Sequence, residues 1–346
     1  MSNESYFSFG LGIGTRSQKG DWLEVFFPRP LFKPEMTLIR QAITAFDADQ
    51  GNREIIPTPD QLQSFADLAT QAGATEQAEL AKQLRQTNQP VVVVLLASDE
   101  APNSVPEIYL KLQLLSHRLV QPHQTDLSGI FGKLPNVAWT SAGAIAIDEL
   151  PQRQLEARLK GELLEVMAVD KFPKMANYVI PSGVRVADTD RIRLGAYLGA
   201  GTTVMHEGFV NFNAGTLGSG MIEGRISAGV VVGKGSDLGG GSSTMGTLSG
   251  GNKVIISVGE ECLIGANAGI GIPLGDRCTV EAGLYITAGS KVAVLDENNQ
   301  LVETVKARDL AGKSDLLLRR NSVNGRIECK TNKSAIVLNE ELHANN

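Results

Sequence analysis

From Ile180 onward an aliphatic or small side chain returns at every sixth position. The first series is Ile180, Val186, Ile192, Leu198, Val204, Val210, Thr216 and Ile222. The register then shifts by four residues. The second series is Ile226, Val232 and Leu238, a break, then Ile256, Cys262, Ala268, Leu274, Val280, Ile286 and Val292. A period of six fits neither a helix at about 3.6 residues per turn nor a simple strand at 2. It requires one short strand and one corner per hexad.

Glycine follows the same phase. Gly229, Gly235, Gly241, Gly259, Gly265, Gly271, Gly283 and Gly289 each stand three residues after an apolar position, with Arg277 as the exception. A repeated corner favours a residue that enters positive φ without a Cβ penalty. The predicted fold is therefore a left-handed parallel β-helix of hexapeptide repeats. Three hexads make one triangular turn, so residues 18 apart should stack at about 4.8 Å. Aromatic residues make up only 5% of the chain, as suits a narrow prism. A solenoid also needs caps at its ends.

The chain has 346 residues, enough for more than this prism. Residues 1–175 read as an α/β domain. Leu38, Ile39, Ala42, Ile43 and Phe46 recur at helical spacing, as do Leu62, Phe65 and Ala69, and Val91–Ala97 is a buried strand. A last amphipathic helix is predicted through Leu155, Leu159, Leu163 and Val166, ending near Asp170. Gly10-Leu-Gly-Ile-Gly lacks phosphate-loop spacing and reads as a structural turn. The prism occupies 176–297, with a loop insertion near 239–253 placed to contact a ligand. Residues 298–346 form a C-terminal hairpin and basic tail, Lys291–Leu295 and Leu301–Val305 flanking the hairpin turn.

Net charge is -6, which gives no general footprint for nucleic acid or an anionic membrane. The longest apolar run is too short to span a bilayer, and no secretory signal opens the chain. Cys262, Cys278 and Cys329 make neither a disulfide framework nor a metal motif. A cytoplasmic location is expected. Between Lys306 and Lys333, eight basic residues stand against three acidic ones, a local excess of five positive charges. That suits an anionic ligand.

Hexapeptide β-helices mostly serve as acyltransferases, which sets a class but no substrate. His206, the one histidine of the repeat region, could be the general base of an O- or N-acetyltransferase acting on a sugar or amino sugar. A non-catalytic scaffold is the alternative of a different class.

Residues 180–322 carry a more specific resemblance. The segments IPSGVRVADTDRIRLGAYLGAGTTVMHEGFVNFNAGTLG, MIEGRIS, VVVGKGSDLGGGSS and LLLRRNS resemble tetrahydrodipicolinate N-succinyltransferases. The resemblance implies a homotrimer with acyl-transfer grooves between neighbouring prisms. It implies transfer of succinyl from succinyl-CoA to the amine of 2-amino-6-oxopimelate, the ring-opened tetrahydrodipicolinate, in diaminopimelate and lysine synthesis. The family's catalytic glutamate matches Glu223, at the register slip, either as nucleophile or as general base. Arg225 is expected to meet a substrate carboxylate. Gly240, Ser243, Ala266, Glu281, Ala282, Gly289, Lys306, Arg319, Arg320, Asn321 and Ser322 are expected to line the succinyl-CoA groove. Asp190 and Glu207 fall near one corner on consecutive coils, and similar positions in relatives hold a Mg²⁺ shared by three subunits.

Overall fold

The computed structural model describes residues 5–246 and 254–331. The chain divides into two units. One holds the residues up to Leu114 with Gln124–Pro173; the other holds Leu115–His123 and the residues from Lys174 onward.

The first unit runs β1 (Ser8–Arg16), β2 (Trp22–Phe26), β3 (Leu31–Phe32), α1 (Met36–Phe46), β4 (Arg53–Ile55), α2 (Pro59–Gln71), α3 (Thr75–Leu84), β5 (Val91–Leu96) and α4 (Val105–Ser116). Its main sheet has the order β2-β1-β5-β4, with β3 beside β1, all antiparallel. Phe9, Leu11, Val93 and Leu95 share a core with Leu38, Ile39, Phe46, Leu62, Phe65 and Leu84 of α1–α3. Helix α2, which carries Leu62, Phe65 and Ala69, starts at the Pro-Thr-Pro segment of residues 57–59. Thr58 and Gln61 form a reciprocal capping box, with Pro59 in the first turn.

In two places this half differs from what its sequence predicts. Gly10, Gly12 and Gly14 lie inside β1 rather than in a turn. Gly10 and Gly12 are small because the Phe27 ring packs on them, only 2.7 Å from where a Cβ would stand, and Gly14 because its Cβ would stand 2.2 Å from the Glu24 carbonyl oxygen. The helix beginning at Leu150 ends at Leu159. Gly161 turns the chain at φ +76°, and Val166–Asp170 becomes a strand antiparallel to Val137–Thr140. Leu155, Leu159 and Leu163 are exposed rather than aligned on a buried face. β-branched Val166 and Val169 suit the strand better than a helical turn.

The second unit is a three-faced prism of parallel strands. Face 1 stacks Ala196–Leu198, Ala214–Thr216, Val231–Val232 and Ser257–Val258. Face 2 stacks Arg185–Val186, Thr202–Val204, Gly220–Ile222, Asp237–Leu238, Leu263–Ile264, Thr279–Val280 and finally Leu316–Arg320. Face 3 stacks Phe209–Val210, Arg225–Ile226, Ser243–Thr244, Gly269–Gly271 and Tyr285–Thr287. Ile192, Leu198, Val210, Ile222, Val232, Leu238, Ile264 and Val280 fill the interior. Ile180 departs from the pattern: it is 67% exposed and precedes the first rung.

Stacking 18 apart holds for Val186, Val204 and Ile222. After the slip, Ile222 stacks on Leu238, 16 residues on. A second contraction follows: Ile264 stacks on Val280 and Ile270 on Ile286, again 16 apart. The later hexad positions therefore alternate between two inward-facing sites. Both are buried, as Cys262 with Ile264 and Cys278 with Val280 illustrate.

The in-phase glycines serve two purposes. Gly241 takes φ +70° at a corner. Gly265 is not left-handed; a Cβ there would stand 2.5 Å from the Ala282 nitrogen of the next coil. At its corner Asn267 carries the positive φ, as Gly283 does one coil later, and Arg277 takes the same conformation at the corner above Glu261.

The expected insertion is shorter than 239–253. Ser243–Thr244 is a regular rung paired to both neighbours; residues 247–253 lie outside the described residues. Of the expected C-terminal hairpin and basic tail at 298–346, residues 332–346 lie outside the described residues, and the part up to 331 does not stand apart. After the antiparallel hairpin Lys291–Leu295 with Leu301–Lys306, Leu316–Arg320 returns to face 2 beside Thr279–Val280.

Leu115–His123 lies along the seam between faces 3 and 1. The Ser116 hydroxyl accepts from the Gly195 N–H and donates to the Ala196 carbonyl. The His123 N–H donates to Asn213 Oδ1, and its Nε2 lies 2.7 Å from the Gly229 oxygen. Gly195, Asn213 and Gly229 are the left-handed corners of three successive coils.

Candidate active site

The seam between faces 2 and 3 gathers most of the predicted site. Going up the coils it carries Asp190, Met205–Gly208, Glu223–Gly224, Gly239–Gly241, Gly265–Asn267, Glu281–Gly283 and Arg320–Ser322. A ladder of hydrogen bonds fixes the alignment. The Gly241 N–H donates to the Glu223 carbonyl, Asn267 to Gly240, and Gly283 to Ala266, at 3.3, 2.9 and 2.8 Å. The Arg320 N–H then donates to Glu281 Oε2 at 2.7 Å.

Glu223 follows inward-facing Ile222 directly, at the coil that is two residues short. Its own N–H bonds the Leu238 carbonyl, which leaves the half-buried side chain on the seam. Glycines surround it for steric reasons. A Cβ on Gly224 would stand 2.0 Å from the Ser242 hydroxyl. A Cβ on Gly240 would meet only Glu223 Oε2, at 3.4 Å. The space over the carboxylate is thus open on the Gly240 side. The N–H groups of Gly240, Ala266 and Ala282 have no acceptor among the described residues, and these residues are exposed or half-buried on the seam. They form a column of donors beginning beside the carboxylate. Such donors suit amide carbonyls and the oxyanion of a thioester under attack.

Arg225 and Ser243 belong to a neighbouring surface, the outward column of face 3. Its register runs Phe209, Arg225, Ser243, Gly269, Tyr285. The Tyr285 ring lies across Gly269, filling the place of its missing Cβ at 2.1 Å. Tyr285 escaped the sequence reading, although the alternation with buried Ile286 would have turned it outward. Gly289 and Lys306 sit beyond that column at the far edge of face 3. The Ala307 N–H donates to Ser290 and the Arg308 N–H to Ala288. Lys306 is exposed, and its N–H donates to Asp309. The predicted lining thus forms two sets, one on the seam and one across face 3.

The four residues Arg319–Ser322 divide as well. Arg319 and Asn321 turn to Glu328, a buried carboxylate, while Arg320 and Ser322 are exposed. The Asn321, Arg326 and Arg319 side chains hold the Glu328 carboxyl below its ordinary value. With Arg319 and Arg326 both committed to Glu328, the basic segment is less free than its sequence charge suggests, while its Asp315 pairs with Arg277 outside it. In the sequence Glu328 is merely one acid among bases, and nothing there marks it.

Asp190 and Glu207 are exposed on consecutive coils. The Asp190 carboxylate takes Lys174 Nζ at 2.9 Å. Glu207 lies 3.6 Å from His206 Nδ1, and its carbonyl accepts from Arg191. Among the described residues no three His, Cys, Asp or Glu side chains form a metal-holding group. One protomer alone does not make the expected Mg²⁺ site. His206 occupies the same seam one coil before Glu223 and is exposed.

Comparison with known proteins bears on the whole chain. Residues 62–132 match the tetrahydrodipicolinate N-succinyltransferase N-terminal model and 134–174 its middle model. Residues 255–288 match the hexapeptide repeat of succinyl-transferase. The 2,3,4,5-tetrahydropyridine-2,6-dicarboxylate N-succinyltransferase of Pseudomonas putida is 63% identical over 346 residues, covering 100% of both chains. That of Vibrio cholerae is 57% identical over 342 residues, covering 99% of this chain and 100% of its own. A crystal structure from Campylobacter jejuni, described as a 2,3,4,5-tetrahydropyridine-2-carboxylate N-succinyltransferase, superposes with a TM-score of 0.90. It is 32% identical and covers 96% of this chain and 94% of its own. With its hexad prism, its glutamate seam and full-length relatives of this identity, the chain belongs to the tetrahydrodipicolinate N-succinyltransferase family.

Proposed function

We propose that the protein transfers the succinyl group of succinyl-CoA to the amino group of 2-amino-6-oxopimelate, the open form of tetrahydrodipicolinate. The reaction serves diaminopimelate and lysine synthesis in the cytoplasm. The carrying observation is the open Glu223 carboxylate at the foot of the Gly240, Ala266 and Ala282 N–H column. Pantetheine lies along that column, with Glu281, Arg320 and Ser322 above it. Lys306 and Gly289 meet CoA from the far side of face 3, and Arg225 takes a substrate carboxylate as a bidentate fork.

Two routes use the same carboxylate. In the first, Glu223 attacks the thioester carbonyl, CoA leaves as thiolate, and a mixed anhydride remains. The amine then opens it, forming the amide, releasing the Glu223 carboxylate and giving up a proton to solvent. In the second, Glu223 removes a proton from the ammonium or the attacking amine, and the amine itself displaces CoA. In either route the Gly240 N–H is positioned to stabilise the oxyanion.

The active assembly is a homotrimer with the seam of one prism facing its neighbour. Asp190 and Glu207 of three subunits would converge at the axis, where a Mg²⁺ would offset their mutual repulsion. Oxygen donors suit that ion, although Lys174 already supplies one cation to Asp190.

Thiol release from succinyl-CoA, followed with and without tetrahydrodipicolinate, tests the reading. Glu223→Ala should lose turnover while keeping the wild-type melting curve and assembly size. Retention of substantial activity would remove Glu223 from the reaction. A stoichiometric burst of thiol without acceptor selects the anhydride route; its absence selects the general base.

A further inference from the structure

We infer that Glu328 is a positioning residue that pre-forms the CoA-facing turn, so that Arg320, and not Arg319, is the arginine this turn offers to the ligand. The inference rests on the proposed reading of Arg319–Ser322 as part of the succinyl-CoA groove.

The turn Asn321–Arg326 joins the antiparallel strands Leu316–Arg320 and Ile327–Thr331, with Arg319 opposite Glu328 and Arg320 opposite Ile327. Side chains alternate along a strand, so the two arginines face opposite ways. Arg319 gives Nε and Nη2 to Glu328 Oε2, at 3.1 and 2.9 Å. Asn321 Nδ2 and Arg326 Nη2 each give one bond to Oε1, at 2.9 and 3.0 Å. The carboxylate is only 2% exposed, whereas its two arginines are more than a third exposed.

A buried carboxylate with four donors is costly to bury and costly to leave unpaired. Here its partners all come from the turn and the strand leading into it. The same turn is tied further by Asn321 Oδ1, which accepts from the Val323 and Asn324 N–H groups. Arg320 contributes one bond, from Nη1 to the Gly325 carbonyl, and is itself exposed. The main-chain N–H of Arg320 is anchored on Glu281. Two carboxylates, Glu281 and Glu328, thereby fix where the exposed guanidinium stands before CoA arrives. Such pre-organisation lowers the ordering cost of binding.

The test is steady-state kinetics of Glu328→Ala, Glu328→Gln and Arg320→Ala, together with the Glu328→Ala/Arg320→Ala double variant. Melting curves and assembly size are measured on each. Glu328→Ala is expected to raise KM for succinyl-CoA by roughly ten- to a hundredfold, as loss of a supporting shell does elsewhere. Its kcat and its KM for tetrahydrodipicolinate should stay within about threefold of wild type, the non-additivity expected of coupled sites appearing as little further loss in the double variant. Glu328→Gln, which keeps one acceptor oxygen, should fall between, and it decides the matter if the alanine variant does not fold. Folded Glu328 variants with wild-type KM for succinyl-CoA, beside an Arg320→Ala that raises it, would overturn the inference and leave the groove reading intact. Equal losses for both substrates would also overturn it, as a general weakening of the fold. An Arg320→Ala variant with unchanged KM would remove the turn from the groove, and the inference with it.

Discussion

Gly240→Ala separates the chemistry of the seam from its architecture. Gly240 is not in the left-handed region, so alanine adopts its backbone without strain. The added methyl meets one atom within 4 Å, Glu223 Oε2 at 3.4 Å, an ordinary contact. Replacing glycine where the backbone permits stabilises by about 0.4–1 kcal/mol through the unfolded chain. The variant should therefore melt at or above the wild-type temperature. Activity is another matter, because a thioester carbon must come within about 3–3.5 Å of the reacting group. The methyl occupies the open side of that approach. A misplacement of about 1 Å costs on the order of a hundredfold, or about 2.7 kcal/mol of barrier. Its neighbours should behave in the opposite sense. Gly241→Ala carries φ +70°, worth about 1–2 kcal/mol of strain, and places its Cβ 2.5 Å from Asn267 Oδ1. Gly224→Ala would stand 2.0 Å from the Ser242 hydroxyl and 2.7 Å from its carbonyl. Both should melt lower. Thiol release against succinyl-CoA concentration, beside thermal unfolding, reads both quantities. A Gly240→Ala enzyme with wild-type kcat and KM would show that the thioester does not approach from this side.

Two further outcomes follow from buried titratable groups. Glu328 has its folded pKa below the ordinary 4.5; its contribution is full above roughly pH 4.5–5 and lost as pH falls through the folded value. The gap in denaturation midpoint between wild type and Glu328→Gln should be present at pH 7 and narrow as pH falls below about 4.5; a gap that does not change with pH would refute the pairing. Burial raises the Cys329 thiol to about 11, and the Cys278 sulfur together with burial raises Cys262. All three thiols are buried. A disulfide reagent at pH 8 should therefore titrate almost none in the native protein and three after denaturation. Rapid native modification would contradict the packing, and would also confound the thiol-release assay.

The prism was legible because its physics is local and periodic. Ile192 through Val292 repeat at six because each rung needs an inward side chain, and that signal survives even where Thr216 or Cys262 takes the place. The two contractions were less legible. A coil that loses two residues swaps one inward site for the other, as Cys278 and Val280 show, and an apolar series runs through without a visible break. Glu223 is singled out at the first contraction by its family motif; the geometry adds the glycine-cleared space above it. The turn at Glu328 was invisible because an ion pair between residues nine apart leaves no periodic trace. In the α/β half, Gly10 and Gly12 suggested a turn because a strand glycine is normally unfavourable. Only the Phe27 ring explains them, and it arrives from another strand.

The way the last rung is made has a consequence for solubility. A stack of parallel strands ends in unpaired amide and carbonyl groups, an invitation for another molecule to continue the stack. Thr279–Val280 would be such an end on face 2. The chain instead leaves and comes back 38 positions later to lay Leu317 and Leu318 on it, and the next strand, Ile327–Thr331, runs antiparallel. Reversing direction breaks the template, so one polypeptide supplies both the growing ladder and its terminator. Cutting the chain within 298–315 would remove the terminator and leave a surface primed for fibrous, end-to-end association.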